Sequence, residues 1–485
     1  MNSIINLEPK ALWENFNEIC KIPHPSKKEE HIIEFMRKFG IDNGLDTFVD
    51  EVGNVIIKKN ATPGFENRKA VVLQAHLDMV PQKNSDTNHD FEKDPIETIV
   101  DGEWVRANGT TLGADNGIGV AAAMAVLKAK NLKHGPVVAL FTIDEETGMT
   151  GAFGLKPGLF DADILLNLDS EDEGELYIGC AGGVNANVYF DYNHTPIEND
   201  TTAFQITVKG LKGGHSGVDI NLQRGNSNKI INRIFFEGIK QYGLRIASID
   251  GGSLRNAIPR ESFAVVTVPN NKKDAFVNFV KEFGLIVKNE LGNVDPGVMI
   301  TAENVAMPSF LIDKDTQDRL IKAVYACPNG VIRMISEMEG VVETSTNLAI
   351  IKSDDKQISV MNLLRSSVDS AKQDLGNMVE SVFTNAGAKV ILDGAYPGWK
   401  PNVNSPILKT MQEIYNKKFG KVPEIKVIHA GLECGLLGGV YKKLDMISFG
   451  PTICFPHSPD EKVNIETVNK FWIYLVETLE NIPVK

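Results

Sequence analysis

The stretch Val71-Val72-Leu73-Gln74-Ala75-His76-Leu77-Asp78-Met79-Val80 decides the fold of this chain. Its first residues are mostly apolar strand formers, so the stretch predicts a buried parallel strand that ends near His76. Residues two apart on an extended chain point the same way, which puts His76 and Asp78 on one side of a cleft. A neutral imidazole is a common metal ligand, and a neighbouring carboxylate can orient it. The alternative is a core histidine at a strand end beside a solvated aspartate.

The composition narrows the classes of protein to consider. The chain has 485 residues and a formal net charge of −13, which allows about two to four domains and disfavours nucleic-acid binding. No apolar run is long enough to span a membrane, and the first residues lack the features of a signal peptide. Five scattered cysteines without a Cys-x-x-Cys motif are typical of reduced thiols, so a cytoplasmic location is predicted.

Two more apolar runs resemble the first and end in carboxylates. Residues 136–143 lead into Asp144-Glu145-Glu146, and residues 164–168 lead into Asp169. Helical patterns alternate with these runs, which predicts a mostly parallel sheet covered by helices. Sites in such sheets lie outside the carboxyl ends of the strands. His76 and the three carboxylates Glu145, Glu146 and Asp169 all fall at such ends.

Two segments outside these apolar runs have the sequence pattern of helices. Gly113-Ala114-Asp115-Asn116-Gly117 opens an alanine-rich helix that runs to about Lys130. Asp115 stands where that helix begins, so it could also be a plain N-cap. Residues 26–39 predict an amphipathic helix with Ser26 as its N-cap and Glu29 in a capping box.

The pattern changes near residue 183, where alternating strands replace the buried runs. A β-α-β-β-α-β order that occurs twice predicts an α+β region of two ferredoxin-like halves. We therefore expect an α/β catalytic domain, residues 1–182 and 397–485, that is interrupted by a lid domain over residues 183–396.

The chemistry-bearing residues favour a metal site. A general base and a metal-binding carboxylate must lie close together but point differently, and the adjacent Glu145 and Glu146 satisfy this condition. His457, framed by Pro456 and Pro459, adds a second histidine. Two histidines and several carboxylates, without a cluster of thiols, suit zinc or a similar divalent ion, and Asp115 could bridge two ions.

Five short motifs stand in the order found in one enzyme family. They are His76-Leu77-Asp78, Gly113-Ala114-Asp115-Asn116-Gly117, Asp144-Glu145-Glu146-Thr147-Gly148, Asn167-Leu168-Asp169 and Pro456-His457-Ser458. With these motifs the chain resembles the aminoacylase/carnosinase-type di-zinc peptidases. The extended motifs, which are Gln74–Val80, Thr111–Gly117 and Gly213–Gly217, are similar to those of the dipeptidase branch. The resemblance covers essentially the whole chain and implies a zinc-peptidase-like catalytic domain.

The resemblance implies a role for each residue of these motifs. His76 and Asp169 would bind one zinc, Glu146 and His457 would bind the other, and Asp115 would bridge both. Asp78 would orient His76, and Glu145 would be the general base for attack by a metal-bound water. Two divalent ions per chain are expected, and cobalt or manganese can suit similar ligands.

The resemblance also implies substrate contacts in the lid domain. His215, in Gly213-Gly214-His215-Ser216-Gly217, would stabilise the oxyanion, and Arg365 and Asn256 would contact the substrate. Gly431 would let the backbone approach the substrate closely. For His215 the alternative is a loop histidine with a backbone partner, and for Asn256 and Arg365 it is a surface residue or one that forms a hydrogen bond at a strand end. A homodimer is implied as well, with His215 acting in its own chain or across subunits.

The predicted function is hydrolysis of dipeptides, including Xaa-His. One alternative is an amidohydrolase of N-acyl amino acids that uses the same ions. The other is a catalytically silent, metal-dependent binding protein, against which Glu145 argues because binding alone requires no base.

Overall fold

The computed structural model describes residues 3–485, which form two compact units. The first unit contains the chain up to Gly179 together with Pro401–Val427 and Leu432–Lys485. The second contains Cys180–Lys400 and the short segment Ile428–Gly431. The sequence places its boundaries at 182/183 and 396/397 and contains no signal for the separate four-residue segment.

The helices contain apolar positions at helical spacing and begin at polar or proline caps in several cases. They are α1 (Lys10–Ile19), α2 (Glu30–Asp42), α3 (Ala114–Lys128), α4 (Glu145–Gly148), α5 (Thr150–Gly154), α6 (Ser227–Tyr242), α7 (Lys273–Leu291), α8 (Lys314–Ala326), α9 (Asp369–Asn385), α10 (Pro406–Phe419), α11 (Glu433–Val440) and α12 (Ile465–Glu480).

The strands belong to one large sheet in each unit and to smaller sheets beside them. They are β1 (Asp46–Val49), β2 (Val55–Lys59), β3 (Val71–His76), β4 (Thr98–Asp101), β5 (Trp104–Ala107), β6 (Val137–Thr142), β7 (Ile164–Asn167), β8 (Glu175–Cys180), β9 (Gly182–Asp191), β10 (His194–Thr195), β11 (Thr201–Lys209), β12 (Gly214–His215), β13 (Arg245–Gly251), β14 (Ala257–Ile258), β15 (Ser262–Pro269), β16 (Met299–Asn304), β17 (Leu311–Ile312), β18 (Gly330–Met334), β19 (Val342–Ser353), β20 (Gln357–Ser366), β21 (Lys389–Tyr396), β22 (Glu424–Ile428), β23 (Asp445–Ser448), β24 (Ile453–Cys454) and β25 (Lys462–Asn464).

The large sheet of the first unit has parallel strands at its centre. Its order is β1-β2-β6-β3-β7-β23-β8-β22, in which β6, β3, β7 and β23 run parallel. The outer strands β1, β2 and β8 pair antiparallel, so the sheet is mixed rather than parallel throughout. Every residue of β3, β6 and β7 is buried, as expected for strands covered on both faces.

The alanine-rich helix α3 is nearly all buried beside this sheet. Small side chains let it approach its neighbours closely, and a Cβ added at Gly117 would lie only 2.8 Å from the Phe16 ring of α1. The small residues of the Gly113–Gly117 motif therefore serve packing as well as the turn into the helix.

The second unit contains two nested ferredoxin-like halves. Strands β11, β13, β15 and β16 with helices α6 and α7 form one half, in the order β16-β11-β15-β13. Strands β9, β19, β20 and β21 with α8 and α9 form the other, in the order β19-β20-β9-β21. The two halves were expected to follow each other along the chain, but β9 precedes the whole first half. A short β13–β19 pairing joins them into one antiparallel sheet.

One local prediction is wrong. Helix α2 begins at Glu30, with Glu29 at its N-cap position, and Ser26 lies outside it.

Within residues 3–485, no helix combines the length and apolar character that a membrane crossing requires.

Candidate metal centre and substrate-binding groups

The parallel strands bring the predicted metal ligands to one edge of the first unit. In the sheet register His76 lies opposite Thr142, and Gln74 lies opposite Asn167. The three strands therefore end together, and Asp169 follows β7 directly after Leu168. Asp144, with φ of 51°, turns the chain from β6 into α4, which begins with Glu145 and Glu146.

His76 contacts carboxylates with both ring nitrogens. Its Nε2 lies 3.1 Å from Asp115 Oδ1 and 3.3 Å from Asp169 Oδ1. Its Nδ1 lies 2.9 Å from the backbone oxygen of Asp78 and 3.4 Å from the carboxylate of the same residue. An Nδ1–H that donates to Asp78 leaves Nε2 free to bind a metal.

Asp115 connects the two predicted histidine ligands. Its Oδ1 faces His76, while its Oδ2 lies 3.3 Å from His457 Nε2. His457 Nε2 also lies 2.9 Å from Glu146 Oε2. One carboxylate thus contacts two imidazoles, and each imidazole contacts a further carboxylate.

These residues form groups that could hold metal ions. The ligand atoms of His76, Asp115 and Asp169 lie within 4.8 Å of one another, as do those of Asp115, Glu146 and His457. Glu146 Oε1 is buried and has no hydrogen-bond partner among the described residues. A buried carboxylate oxygen without a partner is costly, and a cation would satisfy it. The nitrogen and oxygen donors therefore fit divalent ions.

Asp78 is held by groups that the sequence did not connect to it. Ser26 Oγ donates to Asp78 Oδ2 at 2.8 Å, and the backbone N–H of Glu145 donates to Oδ1 at 2.9 Å. The backbone N–H of Glu146 also donates to Oδ2, at 3.3 Å. Asp78 therefore links the histidine at the end of β3 to the start of α4.

The electrostatics of the cluster reflect its excess of carboxylates. Burial, reinforced by the neighbouring Glu433 and Glu146, raises the pKa of Glu145 to about 8. Hydrogen bonds to Asp115 and Glu146 raise the pKa of His457 to about 11. Burial lowers the pKa of His76, but Asp169, Asp115 and Asp78 outweigh it and hold that pKa well above the ordinary value. Cations bound here would oppose the rise in the pKa of Glu145.

A network of buried polar side chains lies beneath the site, and the sequence alone did not point to one of its members, Glu433. Glu433 Oε2 accepts hydrogen bonds from Gln74 at 2.6 Å and from Thr142 at 2.8 Å. Gln74 in turn accepts from Asn167, which accepts from Ser448. This network of hydrogen bonds crosses β6, β3, β7 and β23 next to the strand ends. Glu433 begins α11, five residues after β22, and belongs to none of the motifs, so no sequence signal marked it.

In the second unit, the predicted oxyanion group His215 lies in a short hairpin. Strand β12 pairs with β14, and His215 lies opposite Ala257. The backbone N–H groups of Gly217 and Val218 donate to His215 Nδ1 at 3.3 and 3.1 Å. Burial and the nearby Arg365 lower the pKa of His215. The neutral ring with an accepting Nδ1 carries its proton on Nε2, which makes Nε2 a donor.

Asn256 lies in the same hairpin as His215. Its backbone oxygen accepts from the N–H of Ser216 at 2.8 Å. Both Asn256 and His215 line a groove of about 650 Å³ in this unit. Gly431 lies at the end of the segment Ile428–Gly431, which is tied to Ala181 by backbone hydrogen bonds.

Arg365 is a buried cation on β20. Its side chain is 5 % exposed, its Nη1 donates to the hydroxyl of Tyr396 at 3.2 Å, and it forms no ion pair within residues 3–485. Its Nε has no hydrogen-bond partner in the same range. A buried guanidinium with unused donors is a site for an anion.

Comparisons with known proteins show which family this chain resembles. Residues 72–481 match the sequence profile of Peptidase family M20/M25/M40. The cytosol non-specific dipeptidase of Escherichia coli is 48% identical over 487 residues, which covers 100% of both chains. The crystal structure of aminoacylhistidine dipeptidase from Vibrio alginolyticus superposes with a TM-score of 0.97 at 51% identity, covering 100% of this chain and 99% of that one. The aminopeptidase PepT of Bacillus cereus, at 16% identity and a TM-score of 0.58 over 98% and 99% of the two chains, shares the fold.

The fold and the sequence profile together define a peptidase of the M20 type. The chain belongs to Peptidase family M20/M25/M40. This confirms the predictions of the family, of the α/β fold class and of an enzyme. The extended motifs are similar to those of aminoacyl-histidine dipeptidases, and a relative of that name matches over the full chain.

Proposed function

We propose that this protein is a metal-dependent dipeptidase that hydrolyses dipeptides, including Xaa-His. The observation that carries the proposal is the contact of Asp115 with both His76 and His457. A carboxylate shared by two imidazoles suits a pair of divalent ions. The full-length likeness to two relatives named dipeptidases supports the substrate class.

The ions are expected to be zinc, held as the resemblance implies. His76 and Asp169 hold one, Glu146 and His457 hold the other, and Asp115 is shared. A pair of ions supplies Lewis-acid polarisation of the peptide carbonyl and lowers the pKa of water. Cobalt or manganese would suit the same nitrogen and oxygen donors.

Glu145 is the proposed general base. It stands beside Glu146 at the start of α4, and its backbone N–H is held by Asp78. Its carboxylate takes a proton from the attacking water and delivers it to the leaving amine. Asp78 positions the proposed base and a proposed metal ligand together, because it contacts both the backbone of Glu145 and the ring of His76.

The second unit supplies the proposed substrate groups. The guanidinium of Arg365 binds the free carboxylate of the dipeptide, because its buried Nε has no partner among the described residues and its fork matches a carboxylate. The Nε2–H of neutral His215 donates to the developing oxyanion. Asn256 and Gly431 are proposed as further substrate contacts. The same proposal includes a lid role for this unit and a homodimer. It also includes a cytosolic location, in agreement with the name of the Escherichia coli relative.

A substrate panel tests the function. We expect purified, zinc-loaded protein to hydrolyse alanyl-histidine and other dipeptides and to lose this activity on dialysis against a chelator, with recovery on adding zinc. Faster hydrolysis of N-acetyl-histidine than of alanyl-histidine would favour the amidohydrolase alternative. Metal binding without hydrolysis of either compound would favour the silent binding protein.

A further inference from the structure

The loop that contains His457 is anchored at its base by one buried carboxylate. His457 lies between β24 and β25, which pair antiparallel, with Cys454 opposite Lys462. The side chain of His457 is 50% exposed, and its φ is 60°. Glu461, four residues further on, is only 2% exposed. The exposed histidine and this buried carboxylate thus belong to the same short loop.

Glu461 accepts hydrogen bonds from the backbone that leads into Asp115. The N–H groups of Leu112 and Gly113 donate to its Oε2 at 2.7 and 3.0 Å. Those of Ala114 and Asp115 donate to its Oε1 at 2.8 and 3.3 Å. A single carboxylate therefore uses both oxygens to hold four consecutive N–H groups of the turn that begins α3.

We propose that Glu461 is a positioning residue that holds His457 and Asp115 in register, so that the ion expected among Asp115, Glu146 and His457 binds tightly. It connects the two segments that supply the imidazole and the shared carboxylate, although they are far apart in sequence. This inference rests on the proposed function for the presence of the ions. It assigns to Glu461 a role that none of the predicted ligands performs.

The other ion should depend less on Glu461, because it shares Asp115 but not His457. His76 ends β3 and Asp169 follows β7, and both strands are fully buried in the parallel centre of the sheet. His457 lacks such a strand, since its loop is held by the short pairing of β24 with β25, by hydrogen bonds of Ser458 within the loop and by Glu461. Removal of the Glu461 carboxylate should therefore weaken the binding of one ion selectively.

Glu461→Gln tests this role, because the amide keeps the shape but can accept at only one of its two terminal atoms. Metal-free protein is titrated with Co²⁺ and followed by visible absorption and equilibrium dialysis. We expect one of the two ions to bind about 10- to 100-fold more weakly than in the unaltered protein. Hydrogen exchange of the amides of residues 112–115 should also become faster in the metal-free variant.

Asp460→Asn is the matched control, because Asp460 is the exposed neighbour of Glu461 and the substitution makes the same chemical change. It should leave both affinities unchanged. Equal affinities in Glu461→Gln and the unaltered protein, or an unaltered protein that binds only one ion, would overturn the inference. These readings need no substrate, so failure of the proposed function would be seen separately, as absent dipeptide hydrolysis.

A second variant covers the case in which Glu461→Gln does not fold. Glu461→Asp keeps the charge but is one methylene shorter, so it should show the same selective weakening to a smaller degree. If circular dichroism showed that both variants are unfolded, Glu461 would serve the fold as a whole and the proposal would be wrong.

Discussion

The groups around His76 and the groups around His215 are held by different kinds of structure. In the first unit, His76 ends one fully buried parallel strand, and Glu145 and Asp169 follow two others. In the second unit, His215 belongs to a strand of two residues beside an open groove, and Arg365 lies one residue before the end of β20. Rigid strand ends therefore place His76, Glu145 and Asp169, whereas a short hairpin places His215.

The largest expected effect concerns the proposed base in the first unit, Glu145. Glu145→Gln should lower kcat for alanyl-histidine by about 100- to 10,000-fold, because proton transfer by a positioned side chain contributes that much. The rigid strand ends should keep the ions bound, so metal analysis should show unchanged content. His76→Ala is the contrasting variant, and we expect it to lose about one ion per chain. Metal loss in the first variant, or full occupancy in the second, would contradict the assigned roles.

The next effect concerns the donor in the second unit. His215→Ala should lower kcat by about 100- to 1,000-fold, because it removes the hydrogen bond that we propose to form to the oxyanion, while the metal content should not change. His194→Ala, which alters an exposed histidine of the same unit, is the control and should be nearly silent. A change in KM alone for His215→Ala would argue for ground-state binding instead.

A smaller effect is expected for Arg365→Lys. The ammonium keeps the charge but loses the planar fork, so KM for a dipeptide should rise by about 10- to 100-fold with a smaller change in kcat. The measurement compares alanyl-histidine with its carboxyl amide in both proteins. The preference for the free carboxylate should shrink in the variant, and an unchanged preference would show that Arg365 does not bind that group.

The smallest effect tests the support of Asp78. Ser26→Ala removes the hydrogen bond to Asp78 Oδ2, which should lower the free energy of unfolding by about 1 kcal/mol. Two backbone N–H groups still hold Asp78, so kcat should fall only severalfold. Urea denaturation and steady-state kinetics provide the two readings. Ser85→Ala changes an exposed serine and should alter neither, whereas a large loss of activity in Ser26→Ala would show that the serine itself is required.

The centre of the fold could be predicted from local sequence because its signals are local. The apolar runs before His76, Glu145 and Asp169 each predict a buried strand, and parallel strands end at a common edge. The structure brings these residues together with Asp115 and His457. The outer strands of the sheet were harder to predict from the sequence, because the antiparallel pairing of β1 with β2 depends on neighbours that no single segment reveals.

The supporting residues were missed for a physical reason. Ser26 has the sequence pattern of an N-cap, but its hydroxyl donates to Asp78 across 52 positions of the chain. Glu461 and Glu433 accept hydrogen bonds from segments that lie still further away in sequence. A carboxylate that holds distant backbone looks like a solvated charge until the chain is folded. The spacing of residues predicts which of them lie at the same edge of the sheet. It does not predict which buried side chain from a distant segment forms hydrogen bonds to a loop.

The nesting of the halves in the second unit has a consequence for synthesis on the ribosome. Residues 201–304 contain all the strands and helices of one half, so the nascent chain can complete that half early. Strand β9 emerges before it but must wait for its partner β20, with Ile358 opposite Phe190. Such a waiting strand exposes unpaired edges during translation. We expect chaperone contacts on the growing polypeptide to concentrate on β9 until residues 357–366 have emerged.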